Sequence, residues 1–98
     1  MENTIKQLKQ MRFISDPSHG WLQVPLSTFL KMKATASTYS YVNKSVIYLE
    51  EDCDAPDFLE KFSKKYNISM KDMFRHIKET FSNEQCFIRT LPHWCGNI

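Results

Sequence analysis

The spacing of apolar residues divides the chain into short helices and strands. Apolar residues at three-residue spacing over residues 2–11 predict a helix of about two turns. Two short strands, 11–15 and 20–25, are expected next. A turn should join them, because Asp-Pro favours turn initiation and Gly20 gives the backbone freedom at the return. The second strand leads into a short helix that Ser27 can cap.

The next two strands, "TYSYV" and "VIYLE", are rich in β-branched and aromatic residues. Because only a few residues separate them, the sequence predicts a hairpin. Alternation of side chains places Tyr39 and Tyr41 on one face of the first strand. It also places Ile47 and Leu49 together on one face of the second strand.

Two helices should follow the hairpin, and each has a start signal. Asp54 or Ala55 is the expected N-cap of the first helix. Ser69 is the expected N-cap of the second, whose apolar positions continue at helical spacing as far as Phe81. Residues 85–91 then predict a last strand.

Together these elements predict an α+β fold, with a small antiparallel sheet of four to five strands covered by two to three helices. The 98 residues fit a single domain, and the 42% hydrophobic content supports a packed interior. Residues 1–11 would form a helical N-terminal extension to this domain. Residues 92–98 would form a tail.

Composition argues against several classes of function. The chain has two glycines and neither a P-loop nor a dinucleotide-binding fingerprint, whose loops use Gly to bring backbone N–H groups to phosphate. No apolar run approaches the ~20 residues that span a bilayer, and residues 1–11 lack the apolar stretch of a secretory signal. Three cysteines without CxxC spacing indicate reduced thiols. We therefore expect a cytoplasmic protein with no cofactor and no membrane contact.

Six carboxylates lie between Glu50 and Glu60, although the net charge of the chain is only +2. Glu50, Glu51, Asp52 and Asp54 could gather oxygen ligands for a hard cation such as Mg²⁺ or Ca²⁺. The mid-loop Gly of an EF-hand is absent, however, and helix starts favour carboxylates because of the macrodipole. We therefore expect water-facing and helix-starting groups and no bound metal. The ridge formed by Glu51 and Asp52 would suit a partner with a basic patch.

The stretch "SDPSHGW" is the most distinctive loop of the sequence. Asp16 could orient the imidazole of His19 as an acid/base pair. Alternatively, Asp16 accepts backbone N–H groups within a turn and His19 rests on Trp21. Aromatic loop residues with polar neighbours are also typical of recognition surfaces.

Two further groups of residues have weaker functional interpretations. Tyr39, Tyr41 and Tyr48 could stack the bases of a single-stranded nucleic acid, but no interleaved Lys or Arg supports a positive groove. Nucleic acid is therefore not the expected partner. His93, Cys86 and Cys95, with His19 from elsewhere in the chain, could form a mixed zinc site. Their spacing matches no defined ligand pattern, and buried or incidental thiols are the simpler interpretation.

The motif "SDPSHGWLQVP", followed by "YSYV" and "YLEEDCDAPDF", resembles a group of small proteins of phages and other mobile elements. The resemblance covers Ser15 to Phe58, with Ser18 where the group has Gly. It implies a mobile-element origin. Small phage proteins without cofactor motifs commonly act by binding a host macromolecule or signal and blocking it.

The leading hypothesis is a small non-enzymatic binding protein of phage or mobile-element type, acting stoichiometrically on a host protein or signal, as an anti-defence inhibitor would. One alternative is a small hydrolase or nuclease that uses a metal or the pair of His19 and Asp16. Another is a sponge for a nucleotide-like signal, in which a homodimer encloses the ligand between aromatic rings. No catalytic residue is assigned. The predicted contact residues are Asp16, His19, Trp21, Tyr39, Tyr41, Glu51 and Asp52.

Overall fold

The computed structural model describes residues 2–82 and 87–95, which form an α+β fold. In chain order the elements are α1 (Glu2–Lys9), β1 (Arg12–Ser15), β2 (Gly20–Pro25), α2 (Leu26–Lys31), β3 (Tyr41–Asn43), β4 (Val46–Glu50), α3 (Asp54–Tyr66), α4 (Met70–His76), β5 (Lys78–Phe81) and a 3₁₀ helix (Phe87–Thr90). The first helix, the first strand pair, β4 and the positions of α2 and α3 agree with the prediction, and β3 is shorter than predicted. The cap of α2 does not, because Pro25 and not Ser27 occupies its N-cap position.

The five strands form one sheet in the order β3-β4-β2-β1-β5. The pairs β1–β2, β2–β4 and β3–β4 are antiparallel, as predicted. β5 runs parallel to β1, so the sheet is mixed and the prediction of a purely antiparallel sheet is wrong. A strand that follows α4 reaches the edge of β1 in the parallel direction, as crossover connections through helices do.

Helix α4 begins as predicted and ends earlier than predicted. The Ser69 hydroxyl accepts the backbone N–H of Asp72 at 3.1 Å, which confirms the N-cap. The helix ends at His76, because Ile77 has an extended backbone with φ −86° and ψ 125°. Ile77 is still buried, and the residues after it hydrogen-bond to β1. Residues 78–81 therefore pair with the edge strand β1 and form β5, although their apolar spacing also fits a helix that continues to Phe81.

The sheet separates two apolar clusters, because successive side chains of a strand point to opposite faces. The larger cluster lies on the face that all four α-helices cover. Its largest buried members include Leu22, Ile47, Leu49, Phe29, Phe58 and Phe62. The smaller cluster lies on the opposite face, beneath the 3₁₀ helix, and its buried members are Ile14, Trp21, Tyr48 and Ile88. The predicted alternation of β4 is confirmed.

Both ends of the described chain contribute to the packing. Leu8 and Met11, at and just after the end of α1, are fully buried in the larger cluster, so α1 is part of the core. The last predicted strand is instead a 3₁₀ helix, and its first predicted residues, 85 and 86, lie outside the described ranges. Of the expected tail, the structure describes residues 92–95, and Trp94 is packed, since its ring meets that of Phe29 edge-on at 5.4 Å between centroids.

The segment that carries Trp94 also lies along the outer edge of β3. The N–H of Val42 donates to the carbonyl of Pro92 at 2.8 Å, and Tyr41 forms a bridge with His93. In the described ranges, no helix combines the length and the apolar character that crossing a bilayer requires.

Trp94 gives a direct test of this packing. Trp94→Ala should lower the free energy of unfolding by about 3–5 kcal/mol, the usual cost of removing a buried aromatic ring. Phe81→Ala is the matched control, because Phe81 is 63% exposed and Trp94 is 5% exposed. Urea denaturation of both variants measures the difference. Equal losses would contradict the assignment of Trp94 to the core.

Candidate functional site

Asp16 organises the turn between β1 and β2. Its Oδ1 accepts the backbone N–H groups of Ser18 and His19, each at 2.9 Å, and its own N–H donates to the His19 carbonyl at 2.8 Å. These bonds confirm the interpretation of the loop as an Asx-type turn. The rings of His19 and Trp21 are neighbours, tilted by 56° with 6.2 Å between centroids.

Arg89 of the 3₁₀ helix holds the same carboxylate from the other side. Its Nε donates to Asp16 Oδ2 at 2.9 Å and its Nη2 donates to Oδ1 at 3.2 Å. The Asp16 side chain is 1% exposed, so this is a largely buried, two-point ion pair. The guanidinium also lies 5.5 Å from the centroid of the Trp21 ring. The Asp16 carboxylate thus binds backbone amides and a guanidinium.

Residues 38–40 form a turn, so the strand predicted to start at residue 38 begins only at Tyr41. Tyr39 is 75% exposed on this turn, and it does not share a strand face with Tyr41 as predicted. The Tyr41 ring lies 6.3 Å from Trp21 in an edge-on arrangement and 4.5 Å from His93. A continuous stacking platform is not formed, because Tyr48, opposite Tyr41 in the sheet, is buried.

Glu50 closes the turn that leads into α3. Its Oε1 accepts the backbone N–H of Cys53 at 2.7 Å and that of Asp54 at 3.3 Å. Its Oε2 accepts the N–H of Asp52 at 3.0 Å. One side chain therefore satisfies three amides that would otherwise be unpaired at a helix start.

The prediction that Asp54 or Ala55 caps α3 is wrong, because both residues lie inside the helix. Cys53 occupies the cap position without a side-chain hydrogen bond, and Asp54 is buried. Oδ2 of Asp54 accepts the N–H of Ser37 at 2.9 Å and the hydroxyls of Ser37 and Ser40 at 2.8 and 2.5 Å. The Ser40 hydroxyl in turn accepts the N–H of Glu50 at 2.9 Å. This buried network fixes the 37–40 turn against the start of α3.

The carboxylates of the acidic segment are therefore dispersed. Glu50 and Asp54 bind amides and hydroxyls, and Glu51 and Asp52 are exposed. Within residues 2–82 and 87–95, no three His, Cys, Asp or Glu side chains converge to hold a metal ion. Of the residues weighed for zinc, Cys86 lies outside these ranges, and Nδ1 of His93 lies 2.6 Å from the carbonyl oxygen of Thr38.

A cleft of about 510 Å³ opens between the loop that carries His19, the 37–40 turn with the start of β3, and the end of β4 with the segment after it. We call it the aromatic cleft. Among the predicted contact residues it is lined by His19, Trp21, Tyr39, Tyr41 and Asp52; its other lining residues are Gly20, Ser37, Glu50, Cys53 and Arg89. Asp16 lies behind the wall and acts through Arg89. The cleft thus brings together residues from four separate parts of the sequence.

Glu51, the other predicted contact residue of the acidic ridge, does not line the aromatic cleft. It lines a second cleft of about 610 Å³, together with Phe13, Leu59 and Phe74. The N–H of Glu51 donates to the carbonyl of Gly20 at 3.1 Å, and a Cβ at Gly20 would lie 2.8 Å from the Glu51 carboxylate. Gly20 lines both clefts, so this contact lies between them.

Sequence reasoning did not find Arg89. It lies 73 residues from Asp16, and the segment around it was predicted as a strand. A buried aspartate requires hydrogen-bond donors or a cation, but this requirement does not say which amide, hydroxyl, Lys or Arg supplies them. Ser37 and Ser40 were missed for a similar reason, because their function depends on the burial of Asp54.

Comparison of the chain with protein-family models, with curated proteins and with solved structures finds no match.

The Asp54 network can be tested by a pair of variants in the first turn of α3. Asp54→Ala should lower the free energy of unfolding by about 2 kcal/mol or more, because it removes the acceptor of buried hydroxyl and amide donors. Asp57→Ala should lower it by less than about 1 kcal/mol, because Asp57 is exposed and only favours the helix macrodipole. Chemical denaturation compares them, and a larger loss for Asp57→Ala would refute the network.

Proposed function

We propose that this chain is a non-enzymatic binding protein that captures its partner at the aromatic cleft. The observation that carries the proposal is the convergence of aromatic rings and charged groups from four parts of the sequence on one opening. The resemblance of Ser15 to Phe58 to phage and mobile-element proteins adds that the partner is a host protein or signal. In that setting the chain would act stoichiometrically, as an inhibitor of a host defence.

The chemistry of the cleft suits recognition. Tyr, Trp and Arg are the residues that contribute most often to the binding energy of protein interfaces, and all three line this opening. Arg89 is held by Asp16, and the 37–40 turn is held by Asp54. A surface that is already ordered loses less conformational entropy on binding, which favours affinity.

The hydrolase or nuclease alternative has less support. It requires His19 to be oriented by Asp16, or a cation held by the acidic segment. The Asp16 carboxylate is bound to Arg89 and to backbone amides, and Glu50 binds the amides before α3. A nucleotide-like signal would find aromatic rings in the cleft, but its phosphate groups would meet the carboxylates of Glu50 and Asp52.

The proposal predicts that partner capture depends on Tyr39. Tyr39→Ser should abolish or strongly reduce capture, because it removes the most exposed ring of the cleft. Phe81→Ser is the matched control, since Phe81 is a similarly exposed aromatic residue of β5 that does not line the cleft. Tagged protein is incubated with lysate of the host cell, and retained proteins and small molecules are identified by mass spectrometry. The proposal fails if no species is retained by the wild type, or if both variants lose it equally.

Charge reversal at Glu51 and at Asp52, which are adjacent in sequence, should affect partner capture differently. Asp52→Lys should weaken capture by roughly tenfold, since it reverses a charge that lines the aromatic cleft. Glu51→Lys should have little effect, because Glu51 lines the second cleft. Both residues are exposed, so the melting temperature should change little in either variant. Titration of the captured partner with each variant measures the effect; a greater loss with Glu51→Lys would place the contact surface in the second cleft.

A further inference from the structure

We infer that the group bound in the aromatic cleft is an organic cation, the side chain of an arginine or a lysine on a partner protein. The inference rests on the proposed function and names the chemical group that the cleft selects. Three observations support it: the aromatic rings of the cleft, the carboxylates on its wall and the exposure of Tyr39 at its rim.

The rings supply a surface that attracts cations. Tyr39 and the half-buried Tyr41 line the opening, whereas Trp21, which also lines it, is only 3% exposed. The electron-rich faces of accessible aromatic rings attract ammonium and guanidinium groups within about 6 Å, so Tyr39 and Tyr41 are the rings that an incoming cation would contact. The protein already uses this interaction, because the guanidinium of Arg89 lies 5.5 Å from the Trp21 centroid. The exposed ring of Tyr39 extends the aromatic wall to the rim.

The charge of the wall also favours a cation. Among the described residues that line the cleft, Arg89 is the only Lys or Arg, and its charge is balanced by Asp16 at 2.9 Å. The carboxylates of Glu50 and Asp52 remain on the wall. The two oxygens of Glu50 accept backbone amides, whereas the exposed Asp52 stands where an incoming cation can reach it. A cation therefore gains attraction from carboxylates and rings together, and a phosphate is repelled by the same carboxylates.

The openness of the site indicates that the cation belongs to a macromolecule. Tyr39 is 75% exposed at the rim, and sites for small ligands usually enclose most of the ligand surface. A side chain that projects from a protein surface can enter from this side while its backbone stays outside. Arginine fits the rings better than lysine does, because its planar guanidinium stacks on aromatic faces.

The test is a titration of the full chain with model compounds, followed in ¹H–¹⁵N spectra. N-acetyl-arginine methylamide should shift the indole signal of Trp21 and the amides of the 37–41 turn. The citrulline analogue, which has the same shape without the charge, should bind at least about tenfold more weakly. Trp94, the other tryptophan of the chain, packs on the opposite face of the sheet and serves as an internal reference.

A pair of variants tests the contribution of charge. Asp52→Asn should weaken binding of the arginine compound by about threefold or more, because it removes the exposed carboxylate of the wall. Glu60→Gln should leave binding unchanged, since Glu60 is exposed on α3, pairs with Lys64 at 3.0 Å and does not line the cleft. Adenosine monophosphate is titrated in parallel as an anion with an aromatic base.

Three results would overturn the inference: equal binding of the arginine and citrulline compounds, tighter binding of adenosine monophosphate, or no binding of the arginine compound up to about 50 mM, where millimolar affinity would be detected. The proposed function is judged separately by the Tyr39→Ser capture experiment. If a partner is lost in that variant but the arginine compound does not bind, the binding function stands and the cation assignment fails. If the compound binds but no partner is captured, the cleft prefers cations and the proposed binding function fails.

Discussion

The buried carboxylate of Asp54 is the interaction on which the site depends. It accepts hydrogen bonds from Ser37 and Ser40. Ser40, the last residue of the 37–40 turn, is completely buried. The Ser40 hydroxyl also accepts the N–H of Glu50, and its carbonyl accepts the N–H of Trp94 at 2.8 Å. A charge this far from water must be matched by donors. The network therefore ties the turn, the hairpin, α3 and the C-terminal segment in one arrangement.

Much of the fold can be predicted because its signals are local. The Asp-Pro turn, the β-branched strands and the Ser69 cap each depend on residues within a few positions of one another. The errors come from contacts distant in sequence. β5 forms because β1 presents a free edge to it, and the 3₁₀ helix packs where Ile88 fills the smaller cluster. Apolar spacing alone cannot detect an edge or a cavity elsewhere in the chain.

The candidate site was predicted in part for the same reason. His19 lies just before β2 and Trp21 lies within it, whereas Asp52 follows β4. Pairing of β2 with β4 brings these residues to the same cleft. Glu51 and Asp52 are adjacent in sequence, yet they face different clefts because the chain turns between β4 and α3. Arg89 required knowledge of the three-dimensional fold, since the residue that needs it, Asp16, is close to the other end of the chain.

The segment that ends at Trp94 has a consequence for association between molecules. Exposed strand edges are templates for pairing with another chain, and unprotected edges promote aggregation. Pro92 and His93 occupy the outer side of β3, so the N–H of Val42 is bonded within the same molecule. The last described residues thus shield one border of the sheet from intermolecular strand pairing. A shortened chain that lacked them would expose that border and would become prone to self-association.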